Sequence, residues 1–459
     1  MKKTALLLVI ALLLSLTLTS CKLVDSIKDI KNLVIEPEGV DDLMERIDDK
    51  MDNMHSYRIY GEARIKFDVE GVELSGSVNM QSVVIGAPED EDFYTYNSTE
   101  SVILVSGNIQ QENEKIIAYS DGKMYVKNST NENSSMVYSE ISGEDFYDYY
   151  TDNSSDIEFS YDRIYEKQMK KNEDGMWELS LWSFDKEYLD ELLEDLEFTE
   201  DTLGVSLEDI SVTIKTDKKF RVTSITLDFK IYNEEEPGIT MTMKYSDYDS
   251  AEKVEIDETK YKEVSDARIL GKIDTYLREA IEEPNGSFTL EIYQRRFYKD
   301  SYGYGTSAWY EETDRVSYSN KKNGTFYYNI GADINGQTVN IEYNLGSQTV
   351  TAGGQSQKAE QSEMEARAFI ASLMDPSDFD PSRVIEITEN EDGTYRIDME
   401  TTQYNEYMQI MISLGDSCYD YDFYVVVDMD GEEIISMQTH VNLIGRLYDY
   451  SIDSTVTFD

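Results

Sequence analysis

Residues Ser56–Gly86 read SYRIYGEARIKFDVEGVELSGSVNMQSVVIG, and this stretch decides the fold class. Tyr57, Ile59, Ala63, Ile65 and Phe67 alternate with Arg58, Tyr60, Glu62, Arg64 and Lys66. A period of two is that of a strand with one face covered. The alternation resumes after Glu70-Gly71, which predicts a hairpin turning there. On the N-terminal side the period changes. Val40, Leu43, Met44, Ile47, Met51 and Met54 recur as one face of a helix, with Asp41 and Asp42 where a helix start favours acid.

Working outward, SVILV at 101–105 and KIIAY at 115–119 read as strands, and Asp121-Gly122 as a tight turn into KMYVKN. NEDGMWELSLWS leads to a helix capped by Asp185, with a Leu189, Leu192, Leu193, Leu196 stripe. Three alternating strands close the unit: ISVTIKTD, KFRVTSITLDFKIY and ITMTMKYSDYD. The plan then restarts. A helix, ARILGKIDTYLREAIEE, stops at Pro284-Asn285-Gly286 and hands over to SFTLEIYQRRFY. Further strands follow, then a helical block at SEMEARAFIASLM, NEDGTYRIDMETT, an amphipathic EYMQIMISL, and closing strands at 423–429, 433–443 and 450–458. The turns Asn172-Glu173-Asp174-Gly175 and Asn390-Glu391-Asp392-Gly393 are identical and lead into matching alternation. With the shared order of elements, they point to duplication of one domain.

The fold class expected is α+β: two tandem domains, 40–262 and 263–459, each a curved antiparallel sheet whose open face short helices cover. Met51–Asp68 and Tyr119–Val126 carry a family resemblance. They are similar to uncharacterised lipoproteins of Gram-positive bacteria, within the large group built on the half-barrel of the carrier LolA and the mycobacterial LppX and LprG proteins. The resemblance covers 40–250 well and 267–459 loosely. It implies a half-barrel-like sheet in each domain and, as in characterised relatives, a cavity for acyl chains. Many members have no assigned activity.

The N-terminus reads as an address and an anchor. Lys2-Lys3 precede an apolar or small-residue run from Thr4 to Leu18, shorter than the roughly 20 residues a membrane-spanning helix needs. Leu18-Thr19-Ser20-Cys21 resembles the bacterial lipobox. It implies residues 1–20 as a signal peptide, diacylglyceryl on Cys21, and acylation of the new amine in some bacteria. Residues 21–39 are then a lipidated tether, closed by Pro37 and Gly39, on the extracytoplasmic face of the cell membrane. Multiple acyl chains hold where one is marginal.

Charge narrows the partners. The 41 Lys and Arg face 93 Asp and Glu, a net of -52, which repels nucleic acid. Acidic disordered chains are poor in aromatics, whereas this chain has 35 Tyr, 15 Phe and 3 Trp, so it folds. With 2 Cys and 2 His, it supplies neither a disulfide framework nor a Cys/His zinc site. No cofactor or metal is expected. Cys418 reads as a strand position, and His55 and His440 lack neighbours at ligand spacing.

Acidic runs such as Glu234-Glu235-Glu236 and Glu89 to Asp92 read as solvated turns, since general acids need poorly solvated pockets. Asp428-Met429-Asp430-Gly431 lacks the terminal ligands of a calcium loop and reads as a hairpin turn. The tyrosines suit half-buried sheet faces and binding rims. Tyr302, Tyr304, Trp309 and Tyr310 form the candidate ligand-binding patch, because neighbouring glycines argue against strand continuity there. The function expected is a non-enzymatic, membrane-anchored lipoprotein binding a lipid or other amphiphile. Alternatives are a structural or protein-binding surface module that meets an extracytoplasmic partner, and a carboxylate-dependent cell-wall hydrolase.

Overall fold

The computed structural model describes residues 37–52, 54, 56–69, 72–90, 92–105, 108–130, 133–152, 163–186, 188–189, 207–231, 237–282, 287–299, 305–320, 328–334, 337–344, 347–360, 379–400, 417–431 and 433–458. They are mostly strand, organised as large curved antiparallel sheets with few helices. The large curved antiparallel sheets expected are present, and the predicted hairpins prove longer than the alternating cores that announced them. Cys21, His55, the Leu192, Leu193 and Leu196 part of the helix expected after Asp185, the 362–374 block and the 406–414 segment lie outside the described residues.

Two compact units form. One holds residues up to Tyr261 except Val137–Ser139; the other holds Lys262–Asp459 with those three residues. The first begins with α1 (Val40–Asp52), then β1 (Ser56–Val69), β2 (Val72–Ile85), β3 (Tyr94–Val105), β4 (Asn108–Ser120), β5 (Lys123–Thr130) and β6 (Asn133–Glu140). After α2 (Gly143–Asp152) come β7 (Ile164–Lys171), β8 (Trp177–Phe184), β9 (Leu207–Thr216), β10 (Val222–Ile231) and β11 (Pro237–Ser246). The two-residue β12 (Lys262–Glu263) and α3 (Ile269–Glu282) precede β13 (Ser287–Lys299), β14 (Gly305–Asn320), β15 (Tyr328–Ile334), β16 (Gln337–Asn344), β17 (Ser347–Ala352) and β18 (Gln355–Glu360). Closing the chain are β19 (Val384–Glu389), β20 (Tyr395–Met399), β21 (Cys418–Asp430), β22 (Glu433–Gly445) and β23 (Tyr448–Phe458).

One sheet runs β12-β6-β5-β4-β3-β2-β1-β11-β10-β9-β8-β7, the other β18-β17-β16-β15-β14-β13-β23-β22-β21-β20-β19. Apart from β12, the two orders are the same. Six sequential strands lie side by side, and the unit's last strand returns to pair with its first. The hairpins at the shared turn also match. Gly175 and Gly393 take φ of 80° and 85°, and each donates its N–H to the Asn three residues earlier, at 3.0 Å in both cases. Glycine reaches this left-handed region without steric cost.

The opening hairpin pairs Ser56↔Ile85 through Val69↔Val72, as its alternation predicts. Asp121 and Gly122, at φ 54° and 77°, make the two-residue turn that matches strand twist. α1 places Leu43, Met44 and Ile47 in a core with Ile59, Ile65, Leu179, Leu181, Val212, Leu227 and Phe229. Leu43 and Ile47 are both 0% exposed, each worth about 1.5–3 kcal/mol by burial.

Two features were not read from sequence. α2 takes up the Phe146, Tyr147, Tyr149, Tyr150 cluster, whose half-buried sheet reading is thus corrected. Its signals were present: Ser142 accepts from the Asp145 N–H at 3.1 Å, Glu144 and Asp145 sit in the first turn, and Phe146 recurs with Tyr149 and Tyr150 at helical spacing. The second is at residues 305–310, which belong to β14 with Lys299↔Gly305, Phe297↔Trp309 and Arg296↔Tyr310 paired. Gly305 starts the strand, and the register shifts between the Lys299↔Gly305 and Phe297↔Trp309 pairs, an irregularity that glycine at a strand end accommodates.

A candidate binding face on the first sheet

Directly opposed residues of antiparallel strands share a face, so the register follows single rows across the sheet. One row reads Met169, Leu179, Ile214, Ile225, Met243, Gly61, Met80, Thr99, Lys115, Asn128. The next reads Leu181, Val212, Leu227, Met241, Ala63, Val78, Ser101, Asn113, Thr130. In both, the face changes from apolar to polar between β2 and β3. The apolar part is the one that α1 packs against. At its centre Gly61 allows a close approach, since a Cβ there would lie 2.9 Å from the Met80 Cε.

The polar part is buried. Thr95, Asn97, Thr99 and Ser101 follow one another along this face of β3, and Asn113 lies opposite Ser101 on β4. Asn97 donates to the Thr95 hydroxyl at 3.1 Å. The Ser101 hydroxyl, in a residue 1% exposed, has no hydrogen-bond partner. A buried polar atom left unpaired costs about 1–3 kcal/mol, so the position calls for an explanation. At the Thr95 end, α2 closes the face: Phe146 lies 5.1 Å from Tyr119 and 6.4 Å from Phe93. Thr95 pairs with Tyr119, and Tyr119 with Met124, so both belong to the same face.

The reverse face of β3–β5 is occupied by the segment running to Tyr261. Tyr94 is hydrogen-bonded to Val254, Tyr125 meets Tyr261 edge-on at 5.3 Å, and Lys253 lies over the Tyr94 ring. Burial pushes the Tyr94 and Tyr261 hydroxyls up to about 12. Lys127, also on this reverse face, pairs with Glu114.

In the second unit the row matched by the shared turn is Ile387, Ile397, Val425, Thr439, Ser454, Ile292, Asp314. Its buried polar residues among those described are Thr439 and Ser454, on β22 and β23. On the other face, Arg396 stacks 3.6 Å from the centre of the Tyr424 ring, Tyr424 meets His440, and His440 bonds to Asp453. His440 and Cys418 are strand residues, and the Cys418 thiol donates to the Asp420 carbonyl at 3.0 Å. Asp430 pairs with Glu433 across a hairpin whose Gly431 has φ 65°.

Of the sequence-derived candidates, Tyr302 and Tyr304 lie outside the described residues, as does Cys21. Trp309 and Tyr310 occupy consecutive positions on β14, hence alternate faces of the strand. The β3–β5 wall was not anticipated; its signal was the Asn97, Thr99, Ser101 alternation, which an apolar-pattern reading passes over. Among the described residues, no group of acids, His or Cys is arranged to hold a metal. Among them, too, no helix is long and apolar enough to cross a membrane. The described buried polar residues are Ser, Thr and Asn.

No family model matches the chain, and no curated protein does. Solved structures give distant likenesses. A β-barrel-like protein of the domain of unknown function DUF1849 from Brucella abortus is 12% identical, covering 43% of this chain and 99% of that one, with a TM-score of 0.14. A DUF1329 family protein from Desulfovibrio piger is 11% identical over 47% of this chain and 93% of that one, TM-score 0.16. The transferrin binding protein B of Neisseria meningitidis is 6% identical over 88% and 76%, TM-score 0.13. Scores this low carry no functional argument.

Proposed function

We propose that the chain is a non-enzymatic, membrane-anchored extracytoplasmic lipoprotein whose first unit binds an amphiphile against its concave face. The observation that carries this reading is the change from apolar to polar along the rows, with the buried Ser101 hydroxyl unpartnered on the polar side. A face divided in this way complements a molecule divided in the same way. Because α1 fills the apolar half, Val78 included, the ligand lies at the boundary, its apolar part on Met80, Ile103 and Ile117 and its polar part on β3–β5. The lipobox-like Leu18-Thr19-Ser20-Cys21 supplies the anchor.

Titration with a solvatochromic fatty-acid probe tests the reading. Saturable binding with a blue shift at about one probe per chain supports it, and a linear, non-saturating response removes it. The protein-binding alternative draws on β18, an edge strand exposed along its whole length. Capture of one extracytoplasmic protein that competes with no amphiphile favours that alternative.

A further inference from the structure

Resting on that reading, we infer that the polar wall of β3–β5 recognises an anionic group, phosphate or carboxylate, flanked by hydroxyl or carbonyl oxygens. Lys115 is central to it. The residue sits on β4 opposite Thr99 and Asn128, on the same face as Ser101 and Asn113. Among the described residues its ammonium has neither an ion pair nor a hydrogen bond. The contrast with Lys127 on the neighbouring strand is direct, since that side chain points to the reverse face and is paired with Glu114. In a chain with 93 carboxylates, the inner-face positions of these rows from β2 to β5 carry none: Gly76, Val78, Met80, Ser82 and Val84, then Thr95 to Ile103, then Asn113 to Tyr119, then Met124 to Thr130.

Chemistry limits what fits. Lysine ammonium offers three donors and no acceptor; serine and threonine hydroxyls rotate to either role; asparagine amides offer both. Such a set completes an oxyanion through Lys115 and the Ser101 and Thr99 hydroxyls, with the Asn97 and Asn128 amides beside it for neighbouring hydroxyls. A cationic ligand would find no counter-charge there. The body's net charge opposes anions at long range, but salt confines that field to a Debye length of about 8 Å, and local groups decide binding. Burial strengthens a charge-assisted bond once formed.

The test uses the full chain, purified in detergent and stripped of bound lipid, with calorimetric titration of three probes: inorganic phosphate, glycerol 3-phosphate and a short-chain phosphatidylglycerol. Lys115→Met is expected to weaken the bound probe about tenfold or more, the cost of a lost charge-assisted bond, while Lys115→Arg retains most affinity. Ser101→Ala is expected to leave the thermal midpoint unchanged or raised without ligand, since an unpaired hydroxyl contributes nothing, yet to weaken binding about threefold or more. Tighter glycerol 3-phosphate than phosphate identifies a soluble source, and binding of phosphatidylglycerol alone identifies a lipid headgroup. Equal affinity in wild type and Lys115→Met, or no binding of any probe, overturns the inference. If an uncharged amphiphile then still binds, only this inference fails and the reading above stands.

Discussion

Tyr94 and Val254, 160 residues apart in sequence, are joined twice through one hydroxyl. The Tyr94 O–H donates to the Val254 carbonyl at 2.9 Å and accepts from the Val254 N–H at 3.0 Å. This fastens the segment leading to Tyr261 against the reverse face of the wall that carries the candidate site. Tyr94→Phe keeps the ring, 1% exposed, and removes both bonds. A loss of about 1–3 kcal/mol is expected from chemical denaturation, because both Val254 groups lose their partner. No change in the midpoint would show that the segment is not fastened there.

Alkali tests the same contact. Burial raises Tyr94 and Tyr261 to about 12, above the roughly 10 of an unfolded tyrosine, so the folded state holds its protons longer. Stability from these groups is full below about pH 10 and is lost as pH rises through about 12. Ultraviolet tyrosinate titration should show a late-ionising class, reduced in Tyr94→Phe. A single transition near the ordinary value contradicts the burial described.

Gly61 meets Met80 across the first strand pair, where an added Cβ would lie 2.9 Å from the Met80 Cε and 3.2 Å from its Cβ, so a side chain there displaces Met80. Gly61→Val should destabilise by about 1–3 kcal/mol through overpacking, while Gly331→Val, where nothing lies within 4 Å, should be neutral or stabilising. Equal midpoints for the two variants would contradict the packing of the central row.

The paired turns predict paired costs. Gly175→Ala and Gly393→Ala each force a side chain into the left-handed region, at about 1–2 kcal/mol. Each unit's own melting transition reads its variant. A cost in one and none in the other would separate two turns that share sequence, φ and hydrogen bonds.

Cys21→Ser should abolish acylation and leave an uncleaved signal, read by intact mass. A wild-type chain whose mass carries no acyl group, or a serine variant whose mass equals the acylated wild type, removes the anchor from the proposal.

The strand plan was legible because one-sided burial forces a period of two, as in Tyr57 to Phe67, and turn chemistry announces itself in Asp121-Gly122 and Asn-Glu-Asp-Gly. Long strands were underestimated where polar residues continue them: β3 begins at Tyr94, seven positions before the apolar SVILV stretch that marked it. α2 was hidden because tyrosines suit strands and helices alike, and what distinguished them was the Ser142 cap, the acidic first turn and the 146, 149, 150 spacing. The wall at Asn97, Thr99 and Ser101 was illegible for a different reason. A buried polar face has the same alternation as a solvated one, and only the register that puts Ser101 opposite Val78 and Asn113 shows which it is.

The most direct test of an amphiphile-binding lipoprotein is native mass spectrometry of the full chain, before and after incubation with lipids from the membrane that carries it. The account predicts a stoichiometric added mass that is released with lipid extraction and diminished in Ser101→Ala. A mass equal to the lipidated chain alone, unchanged by the incubation, would contradict it.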